Sequence, residues 1–289
     1  MGRRARALIC VVSAWFAMGR TALADTDGAD PAAELRSIAF FYGKHPPVDA
    51  LSHYEAAVIE PDHGFVPPAP SVPPSKPTWY AYVSVGEVNP SRAYFADLPA
   101  GWLHGTNDAW HSSVVDQTVP GWPAFVVDKV VAPLWRQGYR GFFLDTLDSY
   151  QLVATTDAAR AAQQAGLIAV IRAIHARFPG AYLILNRGFE LLPAIHDIVD
   201  AVAFESLYRG WNQTMQQYVE VSQPDRDWLL GQASTIRERY RLPLISIDYC
   251  DPVDTACAED TAARIRAVGM LPWVADGGLQ TMGVGNTSY

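Results

Sequence analysis

Gly141-Phe142-Phe143-Leu144-Asp145 is apolar until its last residue, and Ala201-Val202-Ala203-Phe204-Glu205 repeats that pattern further along, with Leu183-Ile184-Leu185 between them. A strand with one wet face alternates apolar and polar residues; runs apolar throughout belong to strands covered on both faces, as in parallel sheets. Similar short runs recur on either side. Strands are predicted at 38–42, 57–60, 79–85, 141–145, 182–185, 201–205, 244–248 and 271–274. Between several of them the period changes to that of a helix. The segment 157–178 places Ala161, Ala165, Ile168, Ile171, Ile174 and Phe178 on one stripe before Pro179-Gly180, and 255–268 is a second such helix, ended by Gly269.

Eight strand–helix units in one chain of this length match a single (β/α)8 TIM barrel of the α/β class, which typically uses about 250 residues. An open doubly wound sheet would carry a Gly-rich first turn, and Tyr42-Gly43-Lys44-His45-Pro46-Pro47 is no phosphate cradle. The six prolines of 64–77 fall between the second and third strands and read as a stiff connection inside the barrel, not a domain linker. The longest connection, 89–138, carries Trp102, His104, Trp110, His111 and Trp122 and reads as an elaborated loop beside the site.

The first 24 residues have the layout of a secretory signal: Arg3-Arg4-Ala5-Arg6, an apolar run from Ala7 to Met18, then Thr21-Ala22-Leu23-Ala24. The run is too short for a membrane anchor, which needs about 20 apolar residues. The expected organisation is a cleaved signal at 1–24, a flexible lead at 25–36 and the barrel at 37–289, in a periplasmic or secreted protein with no stable membrane insertion. Cleavage removes Arg3, Arg4, Arg6 and Arg20 and no acid, which takes the formal charge from −8 to −12. Nucleic acid is a poor partner for such a chain, since its phosphates need a basic stripe. Cys250 and Cys257 remain as an even pair in an oxidising compartment and are predicted to form a disulfide that stiffens one loop. No HxH, HExxH or tight His/Cys cluster is present, so no metal or other cofactor is expected.

In this fold the active site lies at the C-terminal strand ends. Those ends are acidic: Glu60 and Asp62, Glu87, Asp145 and Asp148, Glu205, Asp248 and Asp276, with Arg187 beside Asn186 as the only firm cation. Because side chains alternate along a strand, Asp145 shares a face with Phe143 and Gly141, and Glu205 with Ala203 and Ala201, which turns both acids inward. An unpaired carboxylate there is too costly to serve stability. Two facing carboxylates, one ionised and one protonated, are what glycoside hydrolysis needs. The alternative for either residue is a structural acid, hydrogen-bonded or paired with Arg187. Tyr42, Trp110, Tyr208, Trp211, Tyr249 and Trp273 lie near strand ends, where a sugar face could stack.

At these residues the sequence resembles a known family. Ala39-Phe40-Phe41-Tyr42-Gly43, Val58-Ile59-Glu60-Pro61-Asp62-His63, Tyr82-Val83-Ser84-Val85-Gly86-Glu87, Gly141 to Thr146, Leu185-Asn186-Arg187-Gly188 and Ala203-Phe204-Glu205-Ser206 are similar to the endo-α-1,4-polygalactosaminidases. That family includes the hydrolase domains of bacterial Pel exopolysaccharide systems. The resemblance implies a barrel that cleaves α-1,4-linked galactosamine-rich polymers, with Asp145 and Glu205 as its catalytic acids. The expected roles are Asp145 as nucleophile and Glu205 as acid/base, in a retaining reaction. Tyr42, Glu60, Asp62, Glu87, Asp148, Asn186, Arg187, Tyr208, Asp248, Tyr249 and Asp276 are expected to contact substrate or to orient the groups that do.

A partly de-N-acetylated galactosamine polymer is cationic, and an acid-ringed cleft on a −12 chain would attract it. The resemblance also implies exopolysaccharide export machinery as a partner and a setting in biofilm matrix. Pel hydrolase domains commonly share a polypeptide with a deacetylase; this chain lacks the Asp and paired histidines of such a site, so no deacetylation is expected. Two other readings stay open: a non-catalytic polysaccharide-binding or assembly factor that keeps the barrel, and a hydrolase of a different α-glycan.

Overall fold

The computed structural model describes residues 35–69 and 76–286, which lie in one compact unit, Glu34–Tyr289. The predicted signal at 1–24, most of the lead at 25–36 and part of the proline-rich connection fall outside the described residues. Among the described residues no helix is long and apolar enough to cross a membrane.

All eight predicted strands form: β1 (Ile38–Phe41), β2 (Ala56–Ile59), β3 (Thr78–Ser84), β4 (Gly141–Asp145), β5 (Tyr182–Asn186), β6 (Ala201–Glu205), β7 (Leu244–Tyr249) and β8 (Leu271–Ala275). They run parallel and pair in chain order. The ring stops just short of full closure, because β8 and β1 share no ladder. Val284–Gly285 pairs antiparallel with β8 instead, and Tyr42 N donates to Leu279 O at 2.6 Å across the seam.

The period-two reading of the strands holds. Phe142, Leu144, Val202 and Phe204 are completely buried on the face turned away from the barrel interior. Inside, Phe40 meets Phe143 edge-on with ring centres 5.1 Å apart, and above them Tyr42 meets Tyr82 at 5.2 Å. Gly141 has no side chain because the Tyr80 ring fills its place; a Cβ there would lie 2.3 Å from that ring.

The helix Asp157–Arg177 forms with Thr156 as its N-cap, the hydroxyl accepting from Ala159 N at 3.2 Å. Its buried stripe differs from the one predicted: Ala161 and Ala165 are exposed, while Gln163, Leu167, Val170, Ile171 and Ile174 face inward. The cause is the long connection, which packs on this helix. Gly166 abuts the Gln117 carbonyl, where a Cβ would sit 1.9 Å from the oxygen, and Gln163 Oε1 accepts from Gln117 N at 2.8 Å. That connection is not a plain loop. Glu87–Val88, Leu103–Asn107 and Ser112–Val115 build a three-stranded antiparallel sheet. A second addition, the hairpin Arg209–Asn212 with Gln217–Glu220, follows β6. Neither was read from the sequence.

Candidate active site

The C-terminal ends of β3 to β7 carry Tyr82, Asp145, Asn186, Glu205 and Tyr249 into one network. Asn186 Nδ2 donates one hydrogen to Asp145 Oδ1 at 2.7 Å and the other to Glu205 Oε1 at 3.0 Å. Tyr82 donates to Asp145 Oδ2 at 2.6 Å, and the Tyr249 hydroxyl donates to Glu205 Oε2. Each acid thus accepts from one amide hydrogen and one phenol. Among the described residues no cation pairs with either: the Arg187 guanidinium donates to the backbone carbonyl of Glu205 at 2.6 Å rather than to its carboxylate.

The backbone is built to aim these groups. Thr146 and Arg187, the residues directly after Asp145 and Asn186, both take left-handed conformations, with φ of 63° and 60°. That is a strained choice for a β-branched residue, and neighbouring hydrogen bonds compensate. The Thr146 hydroxyl donates to Asp145 O at 2.6 Å and accepts from Gly86 N at 2.8 Å. Glu205 and Ser206 are joined by a cis peptide bond.

Burial pushes the Asp145 carboxyl above the ordinary aspartate range, although Tyr82, Thr146 N–H and Asn186 pull the other way. Glu205 is raised to about 7, by burial first and by the charge of Asp145 second, against the hydrogen bonds from Tyr249 and Asn186 and the charge of Arg187. In a close pair of this kind one proton is retained.

Two cavities meet at Glu205. The first, about 400 Å³, is lined by Tyr42, Glu60, Asp62, Tyr82, Asp145 and Trp110 among others; the second, about 550 Å³, lies beyond Glu205 under the added hairpin. Glu205 and Tyr249 line both.

The remaining acids are mostly committed elsewhere, which corrects the picture of a ring of free carboxylates. Glu60 is paired through both oxygens with Arg92, at 2.6 and 2.9 Å, and Asp62 lies 3.0 Å from the same guanidinium. Arg92 is therefore a second cation at the mouth, so Arg187 does not stand alone there. Glu87, 3% exposed, borders the first cavity but is held by Asn107 Nδ2 at 2.9 Å, Ser149 Oγ at 2.5 Å and the Ser112 hydroxyl.

Four of the predicted residues, Asp148, Tyr208, Asp248 and Asp276, line neither cavity. Asp248 is completely buried and accepts from the backbone N–H groups of Leu207, Tyr208 and Arg209 and from Ser246 Oγ, so of the two roles open to it, contacting substrate or orienting its neighbours, it takes the second by fixing the turn after Glu205. Tyr208 is 8% exposed and packs beneath Arg264, whose guanidinium lies 4.0 Å from the ring centre. Asp276 organises its own loop by accepting from Gly278, Gln280 and Thr281. Asp148 borders neither cavity and faces Arg187 at 3.9 Å.

The reading of the sequence missed Arg92, which no local pattern marks. It also missed Tyr82, although the alternation that turns Asp145 inward does the same for Tyr82 on β3. Cys250 and Cys257 form the predicted disulfide, with Cα atoms 6.1 Å apart. Among the described residues no cluster of three or more His, Cys, Asp or Glu side chains is placed to hold a metal ion.

The profile of glycoside-hydrolase family GH114 matches residues 20–288. The chain belongs to family GH114. The glycoside hydrolase domain of PelA from Pseudomonas aeruginosa is similar to this GH114 chain at 38% identity and a TM-score of 0.77, over 87% of this chain and 98% of that one. Ega3 from Aspergillus fumigatus shares the fold, with a TM-score of 0.59 at 14% identity, over 89% of this chain and 96% of that one. A protein of Deinococcus radiodurans described as uncharacterized is 27% identical over 252 residues, 80% of this chain and 76% of its own. The acids at the barrel mouth thus belong to a glycoside hydrolase with a (β/α)8 fold.

Proposed function

We propose that the protein is an exported, endo-acting, retaining hydrolase of α-1,4-linked galactosamine-rich polysaccharide, with Asp145 as nucleophile and Glu205 as acid/base. The observation that carries this reading is the single amide nitrogen of Asn186 bonded to both acids. Its two distances, 2.7 and 3.0 Å, hold Asp145 Oδ1 and Glu205 Oε1 closer together than the ~6.5 Å at which inverting spacings begin, and leave room for the ~5 to 5.5 Å of retaining ones.

In the first step Asp145 attacks the anomeric carbon while Glu205 gives its proton to the glycosidic oxygen. The bond to the leaving sugar breaks and an ester to Asp145 forms. Water then attacks the same carbon, its proton passing to Glu205 as the ester bond to Asp145 breaks. The raised carboxyl of Glu205 suits it to hold a proton near neutrality, and in the reactive form Asp145 is ionised and supplies the nucleophile.

The choice of a galactosamine polymer rests on similarity and charge together. The PelA domain is 38% identical to this chain, and the Aspergillus fumigatus structure of the same fold was solved with galactosamine. The formal charge of −12 after signal removal favours encounter with a polycation. The test incubates residues 25–289, and separately Glu205→Gln, with partly deacetylated α-1,4-galactosaminan and follows soluble oligosaccharides by mass spectrometry. Oligomers from the unaltered protein alone are expected; release by neither protein, with binding intact in both, would refute the catalytic reading for this substrate.

A further inference from the structure

The second cavity has no role in the steps above. Asp145 lines the first cavity only, whereas Glu205 lines both. A nucleophile marks the side holding the sugar whose anomeric carbon is attacked, and the acid must reach the oxygen that joins this sugar to the next. The chain beyond that oxygen therefore passes over Glu205 into the second cavity.

The chemistry there fits an amino sugar. Trp228 is 48% exposed and rests edge-on against Phe189, ring centres 5.8 Å apart; Phe189 in turn meets Phe204 at 6.3 Å. The indole is thus held through Phe189 to the strand that ends in Glu205, and it lines the second cavity together with that acid. From the hairpin Glu220 lines the same cavity, and its carboxylate has no protein donor among the described residues. Asp225 is anchored by Ser222 Oγ at 2.6 Å. Arg187 lies at the inner end, occupied by the Glu205 carbonyl.

Resting on the glycosidase reading above, we infer that the second cavity binds the leaving half of the polymer, as a hexosamine whose ring lies on Trp228 and whose ammonium faces Glu220 and Asp225. The test compares two substrates that share everything in the first cavity. One is a deacetylated α-1,4-galactosamine octamer; the other is a tetramer carrying fluoride at its anomeric carbon, from which a single atom departs and no sugar needs the second cavity.

In Trp228→Ala the ratio of octamer to fluoride kcat/KM is expected to fall about tenfold, with Trp228→Phe restoring most of it. In Glu220→Gln the ratio is expected to fall about threefold for the deacetylated octamer and to stay level for a fully N-acetylated one. A ratio within twofold of the unaltered protein in Trp228→Ala would overturn the assignment, and an equal fall on both octamers in Glu220→Gln would overturn recognition of the ammonium. Inactivity of the unaltered protein on both substrates would instead remove the glycosidase reading itself.

Discussion

The α-carbon of Gly86 lies so close to the carbonyl of Thr146 that a Cβ added to it would sit 1.9 Å from the oxygen. Thr146 is the left-handed residue that follows Asp145, and its hydroxyl accepts from the Gly86 N–H. The end of β3 and the turn beside Asp145 are therefore one fitted contact. Gly86→Ala is expected to cost about 1 to 3 kcal/mol of stability, as overpacking does. It should lower kcat on polymer more than tenfold while the protein remains folded at 25 °C. Thermal unfolding and steady-state rates on one preparation check both parts.

Activity should depend on pH through the raised carboxyl of Glu205. It must be protonated to act as the acid, so kcat/KM is expected to fall as pH rises through about 7. On the acid side it falls as Asp145 takes up a proton, above the ordinary aspartate range. Tyr249→Phe removes a hydrogen bond that holds the Glu205 value down, so the alkaline limb should move to higher pH. A limb that stays put or moves down would contradict the assignment of that limb to Glu205.

The same raised value predicts a trade between activity and stability. A carboxyl whose folded pKa exceeds its unfolded one contributes stability that is complete below the unfolded value and is lost as pH rises through the folded value. Here that window runs from the ordinary glutamate value to about 7. Glu205→Gln is expected to abolish polymer cleavage yet to melt at a higher temperature than the unaltered protein at pH 8. At pH 4 the two should melt together. Calorimetry at the two pH values decides it.

Arg92 offsets two acids that would otherwise face each other at the cavity mouth. Its side chain and that of Glu60 are 14% and 13% exposed, so removal of the guanidinium leaves a nearly buried carboxylate unpaired. Arg92→Met is expected to cost about 3 kcal/mol, the order found when one partner of a buried pair is removed. Arg92→Lys should recover part of that only, since an ammonium lacks the planar fork that engages both oxygens of Glu60. Urea unfolding of the two variants tests the ranking.

Reduction of Cys250–Cys257 opens a seven-residue link whose closure is worth about 2.5 kcal/mol on the chain-entropy estimate. Cys250 follows Tyr249 directly, so Cys250→Ser with Cys257→Ser should lower the melting temperature. The fluoride substrate should report a smaller change in kcat, because Tyr249 is also held within β7. A melting temperature that does not move would show that the loop is rigid without its crosslink.

The barrel was legible because burial on both faces leaves a mark in the sequence that needs no partner to be read. Phe142-Phe143-Leu144 declares a covered strand, and alternation alone turns Asp145, Asn186 and Glu205 inward. What the acids at the rim do was illegible, for they are settled by donors far away in the chain. Glu60 is answered by Arg92 and Asp248 by the backbone of 207–209, and no local pattern announces such encounters. The added sheet escaped for a related reason. Leu103-His104-Gly105-Thr106-Asn107 is short, polar and half exposed, so it carries too little apolar alternation to stand out from a loop.

Glu87 draws Asn107 and Ser112 from the added sheet and Ser149 from the turn after β4 onto one carboxylate. The wall of the first cavity and the segment that follows Asp145 are therefore pinned to the same point. Any movement of that point would shift the cavity wall and the segment after Asp145 together. One carboxylate thus ties the shape of the cleft to the placement of Asp145.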